Sequence, residues 1–259
     1  MTLLWRPYRA FAGVRMRPQR LLVIFLGLIL AGCATGPNAN PADPLEPFNR
    51  SVYKFNDAVD QSVFKPVATT YRDVTPSLVQ RGISNFFNNL EDAWSFANSV
   101  LQLKGGSAGD NFFRFGVNTF MGLGGVLDVA TEMRIERHPE DFGQTLGYWG
   151  VGPGPYIVLP ILGPSNLRDT VALPLDSYKG DAVTYAGDDT TVYSLWALRA
   201  TDDRADLLKA ESVLDAAALD KYSFIRDAYM QRRRNAVYDG DPPEEEPAED
   251  AAPPDSSPK

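Results

Sequence analysis

Few residues in this chain can do covalent or metal chemistry. One cysteine and one histidine among 259 residues exclude an intramolecular disulfide, a thiolate metal cluster and a His-rich zinc or di-iron site, and no cofactor is called for. Gly105-Gly106-Ser107-Ala108-Gly109 has the G-x-S-x-G spacing that exposes a nucleophilic serine on a strand-to-helix turn in esterases and lipases, with His138 as its one available base. The context opposes that reading. Residues 100–103 continue a helical series instead of a buried strand, and His138 follows Ser107 by only 31 residues, too few for the separate strand that normally presents the base. A glycine turn ending a helix is the plainer expectation. Gly122-Leu123-Gly124-Gly125 has the glycines of a phosphate-cradling loop but neither a preceding strand nor a P-loop lysine, so it reads as a helix breaker. His138-Pro139-Glu140-Asp141 sets two carboxylates beside an imidazole, yet neighbours on one turn seldom converge on an ion, and no second histidine can complete a shell.

The clearest chemistry belongs to Cys33. Residues 1–32 carry Arg6, Arg9, Arg15, Arg17 and Arg20 with no acid, followed by an apolar run from Leu21 to Ala31, far short of the roughly 20 residues a spanning helix needs. Leu30-Ala31-Gly32-Cys33 then places small residues before a cysteine, the layout of a bacterial lipobox, so residues 1–32 are expected to be a signal peptide and Cys33 the acylated first residue of the mature chain. A start at Met16 would leave everything after Cys33 unchanged. Each buried CH₂ of an acyl chain contributes about 0.8 kcal/mol, and several chains together anchor effectively permanently. Ala34 after the cysteine points to the outer membrane. Loss of five arginines and no acids leaves 20 basic and 33 acidic residues, a formal charge of −13, which disfavours nucleic acid as a partner.

The elements that position these residues are mostly helical. Residues 33–42 are small and polar and form a flexible tether; residues 239–259, with eight acids and six prolines, form an acidic tail that cannot bury enough surface to order itself. Between them, residues 43–238 fit one domain. Phe48, Val52, Phe55, Val59 and Val63 recur at helical steps after Asp43-Pro44-Leu45-Glu46, which supplies a cap and a first-turn acid, and Pro66 breaks the pattern. Thr75-Pro76 opens a longer helix whose apolar stripe runs Val79, Ile83, Phe86, Leu90, Trp94, Ala97, Leu101. A third helix spans about residues 110–121, and amphipathic helices are expected over 202–220 and 221–236.

Two segments are less ordinary. Half of the 14 phenylalanines lie between Phe86 and Phe120, and a helix apolar on several faces is either buried or facing lipid. Residues 142–167 run for 26 positions without a charge but contain six glycines and four prolines, which rules out a spanning helix. They form either a glycine-rich connector with a short buried strand at 156–159, or irregular backbone lining a wet cavity.

Residues 43–57 (DPLEPFNRSVYKFND), 84–102 (SNFFNNLEDAWSFANSVLQ), 118–130 (NTFMGLGGVLDVA) and 140–169 (EDFGQTLGYWGVGPGPYIVLPILGPSNLRD) together closely resemble the VacJ/MlaA family of outer-membrane lipoproteins. The resemblance implies a mainly α, single ring-like helical domain with a central channel, embedded in the membrane from one leaflet and held beside a trimeric porin. It implies removal of phospholipid misplaced in the outer leaflet and its delivery to a soluble periplasmic lipid-shuttle protein. Phe86, Phe87, Phe112, Phe113, Phe115 and Phe120 would then be membrane-facing or lipid-contacting, and Gly143, Gly147, Gly150, Gly152, Pro153, Gly154 and Pro155 would shape the channel. The rival readings are a membrane-anchored lipase using Ser107 and His138, and a purely structural porin-associated lipoprotein.

Overall fold

The computed structural model describes residues 43–244; the signal peptide, Cys33 and the rest of the tether, and residues 245–259 of the acidic tail lie outside the described residues. Helix α1 (Glu46–Val59) runs through a π-helical turn (Asp60–Phe64) straight into α2 (Lys65–Val74). Pro66 therefore does not break the helix. The wider turn lets the Lys65 N–H reach back to the Asp60 carbonyl, and Pro66 falls in the first turn of α2, where a missing N–H does no harm. Nor is Asp43 the cap of α1. Its buried carboxylate accepts from Asn49 Nδ2 at 3.0 Å and from the Tyr222 hydroxyl, tying the start of the body to its last helix.

Pro76 precedes α3 (Ser77–Leu101), which turns at Leu103 into α4 (Gly105–Phe120). The glycines of residues 105–109 thus begin a helix rather than end one. The run Gly122–Gly125 does stop α4, and at Gly125, with φ of +95° and Asn89 pressed against it, no side chain fits. After the short α5 (Val129–Glu132) come α6 (Phe142–Tyr148), the antiparallel hairpin β1 (Tyr156–Leu159) and β2 (Gly163–Asn166), and α7 (Leu167–Leu175). Asp128, Asp141 and Asn166 cap the three helices by accepting from N–H groups two or three residues into each. A π-turn (Asp176–Gly180) and a 3₁₀ turn (Ala182–Tyr185) lead to the long α8 (Asp189–Ala217) and to α9 (Lys221–Val237), capped by Asp220.

The packing closes a circuit. α2 lies on α8, α8 on α3, α3 on α4 and α6, α6 on α7 and α9, α9 on β2, and β1 on α1. Two apolar clusters sit in it, one around Phe87, Val183 and Val192 and one around Tyr156, Val158 and Tyr222.

Between α3 and α4 the usual polarity is reversed. The buried polar residues are Asn89, Asp92, Ser95, Asn98 and Ser99 on α3, Gln102 just after it, and Asn111, Arg114 and Asn118 on α4, beside buried Gly82, Phe87 and Ala108. The rings of Phe112, Phe113 and Phe120 are 53, 60 and 89% exposed, beside exposed Leu101, Leu103, Met121 and Leu123. The inward polar groups hold the irregular chain that follows α4. Asn118 Oδ1 accepts from Ala130 N (2.9 Å), Arg114 Nη1 donates to Ile135 O (2.6 Å), Asn111 Nδ2 donates to His138 O (2.8 Å), and Ser95 Oγ accepts from Glu140 N (3.0 Å). Arg114 also contacts Asp92 and Asp128, while Arg137 Nε bonds the other oxygen of Asp92 at 2.6 Å. Backbone that no helix or sheet satisfies is thereby paired in the interior, as a buried peptide group requires.

Removing one member of such a network leaves the others buried and unpaired. Arg114→Met is expected to destabilise the fold by about 3–5 kcal/mol in detergent denaturation, whereas Phe113→Ser, on the exposed face, should shift the same transition by less than about 0.5 kcal/mol.

Candidate functional site

A cleft of about 660 Å³ opens between α1, the π-turn after it, the hairpin, α8 and α9. Its walls are apolar, with Phe64, Ile161, Leu207, Phe224 and Ile225, and charged groups stand among them. Arg204 bonds both oxygens of Asp60 at 2.7 Å and Glu211 at 2.6 Å, and Lys65 reaches Glu211 at 2.9 Å. The hydrogen bonds it donates to Asp60, and then Glu211 and the attraction of both carboxylates, keep the Arg204 guanidinium firmly charged against the opposing cost of burial. Tyr156 forms part of the floor, and burial pushes its hydroxyl up to about 12. The cleft thus joins an apolar wall to an ionic seam, a combination that suits an amphipathic ligand.

A second cavity of about 390 Å³ lies across α8, between α3, the chain around residues 139–144 and the turns after α7. Here Asp176 Oδ1 accepts from Trp94 Nε1 at 2.8 Å and from Phe142 N at 2.9 Å. Gly180 packs so tightly on the Trp94 ring that a Cβ would lie 2.3 Å from it. Burial raises the pKa of Asp176 and also that of Glu140, although Lys104 and Gln102 hydrogen bonds oppose the rise at Glu140. For Asp141 burial acts the same way but is outweighed, because Arg233 bonds both its oxygens (2.6 and 2.9 Å) and Gln144 N caps it, so its carboxyl is held below the usual range.

The residues singled out in the sequence fall as follows. Phe112, Phe113 and Phe120 lie on the exposed face, and Phe86 and Phe115 are half-buried. Phe87 is a correction: at 4% exposure it belongs to the core with Val183 and Val192, because its position on α3 points toward α8. None of Gly143, Gly147, Gly150, Gly152, Pro153, Gly154 and Pro155 is a wall residue of the large cleft. The same uncharged segment lines it further on, through Tyr156, Val158, Ile161, Gly163 and Pro164 of the hairpin. Ser107 sits in the first turn of α4, with no strand before it, and the ring of His138 meets Asp110 at 3.2 Å. No group of three or more metal-ligating side chains occurs among the described residues, and none of the described helices is long and apolar enough to cross a membrane.

These features can be set beside known proteins. A family model described as MlaA lipoprotein matches residues 41–236. The chain belongs to the MlaA lipoprotein family. It is 37% identical over 220 residues to the intermembrane phospholipid transport system lipoprotein MlaA of Escherichia coli K12, covering 82% of this chain and 86% of the relative. The Haemophilus influenzae protein of the same name is 33% identical over 235 residues, covering 87 and 93%. A solved structure described as "Structural basis for maintenance of bacterial outer membrane lipid asymmetry" matches with a TM-score of 0.67 at 36% identity, covering 75% of this chain and 98% of the other. The MlaA likeness therefore extends over the α3–α4 pair, the hairpin and the cleft walls.

Missed in the sequence were the inward polar stripes and the cleft's ionic seam. The stripes were there to be found: Asp92, Ser95, Ser99 and Gln102, and Asn111, Arg114 and Asn118, recur at helical steps. The seam joins Asp60 to Arg204 across 144 positions, which no local pattern reveals.

Since the folded pKa of Asp141 is depressed, the stability it contributes is present above its unfolded pKa and lost as pH falls through the acidic range below about 4. Urea midpoints of the wild type should decline there more steeply than those of Asp141→Asn.

Proposed function

We propose that this protein is an outer-membrane lipoprotein, anchored by acylated Cys33 on the periplasmic side, that removes mislocalised phospholipid from the outer leaflet and passes it to a soluble periplasmic lipid-shuttle protein, so maintaining lipid asymmetry. The observation that carries the reading is the reversed polarity of α3 and α4, with a paired polar interior and exposed Phe112, Phe113 and Phe120 outside. A large exposed apolar surface on a chain none of whose described helices is long and apolar enough to cross a membrane is suited to resting in one leaflet. Half-buried Phe115 extends the lipid-facing belt, and Phe86, whose ring packs on Phe87 at the edge of the core, would meet lipid only with its outer part. The relatives' role in intermembrane phospholipid transport agrees with it.

The physical task explains the cleft. A headgroup cannot cross hydrocarbon cheaply, and each CH₂ left in water costs about 0.8 kcal/mol. A route that offers an ionic seam to one end of the lipid and Phe64, Leu207 and Phe224 to the other meets both demands. The glycine-rich residues 143–155 shape this route by delivering the hairpin to its wall. A trimeric porin beside the ring would give the cleft access to the outer leaflet, and the porin-partner role belongs to this same reading. Transfer of this kind breaks no bond, so Ser107 and His138 have no catalytic part in it.

The test is the amount and acylation state of cell-surface phospholipid in a deletion strain complemented with variants. Wild type and Ser107→Ala should both clear intact diacyl lipid. Ala228→Trp, which fills the cleft from α9, should leave surface phospholipid near the deletion level although the protein is acylated and membrane-bound. Accumulation of lysophospholipid with wild type but not with Ser107→Ala would support the lipase instead.

A further inference from the structure

The two-stranded sheet leaves one edge of β1 without a strand partner, and α1 supplies the missing bonds from side chains. Asn49 Nδ2 donates to Tyr156 O at 3.0 Å while its Oδ1 accepts from Val158 N at 2.9 Å. Asn56 repeats the arrangement one step further along, with Nδ2 donating to Leu159 O at 2.9 Å and Oδ1 accepting from Ile161 N at 2.8 Å. A carboxamide offers one donor and one acceptor side by side, like a peptide group, and residues seven apart lie on one face of a helix. The two asparagines therefore act as a substitute strand.

They are not equivalent. Asn49 is fully buried, and the part of the hairpin it holds is fixed in addition by Tyr156 and Val158 in the core. Asn56 is a wall residue of the cleft, and the tip it holds, Ile161 and Leu162, is about two-thirds exposed. Ile161 has a φ of +67°, a left-handed conformation that a β-branched residue adopts only under constraint. The bond to Asn56 sits on the amide of that strained residue.

We infer that Asn56 is a positioning residue for lipid transfer: its carboxamide holds Ile161 in the left-handed conformation and so sets the mouth of the cleft. The inference rests on the reading of the cleft as the lipid route. It is tested with the full-length, acylated protein carrying Asn56→Ala, Ile161→Gly or both, by hydrogen exchange at the Ile161 amide in the purified variants and by surface phospholipid in the complemented deletion strain. Loss of the latch should speed exchange at Ile161 by about tenfold with α3 unchanged, and raise surface phospholipid. Adding Ile161→Gly should restore clearance, because glycine takes a positive φ unaided. Normal clearance despite fast Ile161 exchange in Asn56→Ala would overturn the inference, as would unchanged exchange in that variant. Clearance still lost in the double variant would overturn it too, since Asn56 would then act by touching the lipid itself. If Ala228→Trp is silent in the same assay, it is the cleft reading that has failed.

Discussion

Every peptide group kept from water must find a partner, and in this protein the partners are polar side chains turned inward. Arg114 is the centre of that arrangement. Its guanidinium meets Asp92, Asp128, Thr131 and the Ile135 carbonyl from the middle of α4. With Asn118 at the start of α5 and with Asn111 and Ser95 beyond it, Arg114 carries the chain through residues 133–140, which have no strand or helix of their own, down the inside of the α3–α4 pair. Once the polar groups are inside, the apolar ones have to be outside, and the exposed rings of Phe112, Phe113 and Phe120 follow from the same constraint. The device recurs where Asn49 and Asn56 complete the edge of β1.

That economy ties the two sides of the molecule together. The polar interior pairs the backbone of a loop-rich chain, and the loop-rich chain in turn provides the hairpin that walls the cleft. Arg204, Asp60, Glu211 and Lys65 then close the ionic seam between α8 and the helix pair α1–α2. The π-turn at Asp60–Phe64 serves both ends, since it absorbs Pro66 and sets Asp60 opposite Arg204.

Much of the helical architecture was legible in the sequence. The spacing of Val79 through Leu101 marks α3, and the short apolar run Tyr156–Leu159, one of two readings open for that uncharged segment, is a strand. The direction in which α3 faces was not legible. Its apolar stripe has the expected period, but only its middle, Ile83, Phe86 and Leu90, packs on the core around Phe87, while Val79 and Leu101 at its ends are exposed and Asp92 and Gln102 are buried on another face. A period reports that two faces differ; which one turns inward depends on what packs against the helix. Phe87 escaped for the complementary reason: among so many phenylalanines, only the long-range packing of α3 on α8 separates a core ring from a lipid-facing one. The glycines at residues 105–109 read as a stop because nothing local distinguishes the end of one helix from the first turn of the next when Gln102, Leu103 and Lys104 are the whole connection.

The account stands on lipid, not water, being the solvent of the α4 outer face. The most direct measurement places a nitroxide at Phe113→Cys or Phe120→Cys in the acylated protein, where Cys33 is already blocked, and records its collisions with oxygen and with a water-soluble nickel complex in a reconstituted bilayer. The account predicts frequent collision with oxygen and protection from nickel at both positions, with the reverse at exposed Lys54 on α1. Nickel accessibility at Phe113 and Phe120 equal to that at Lys54 would contradict it.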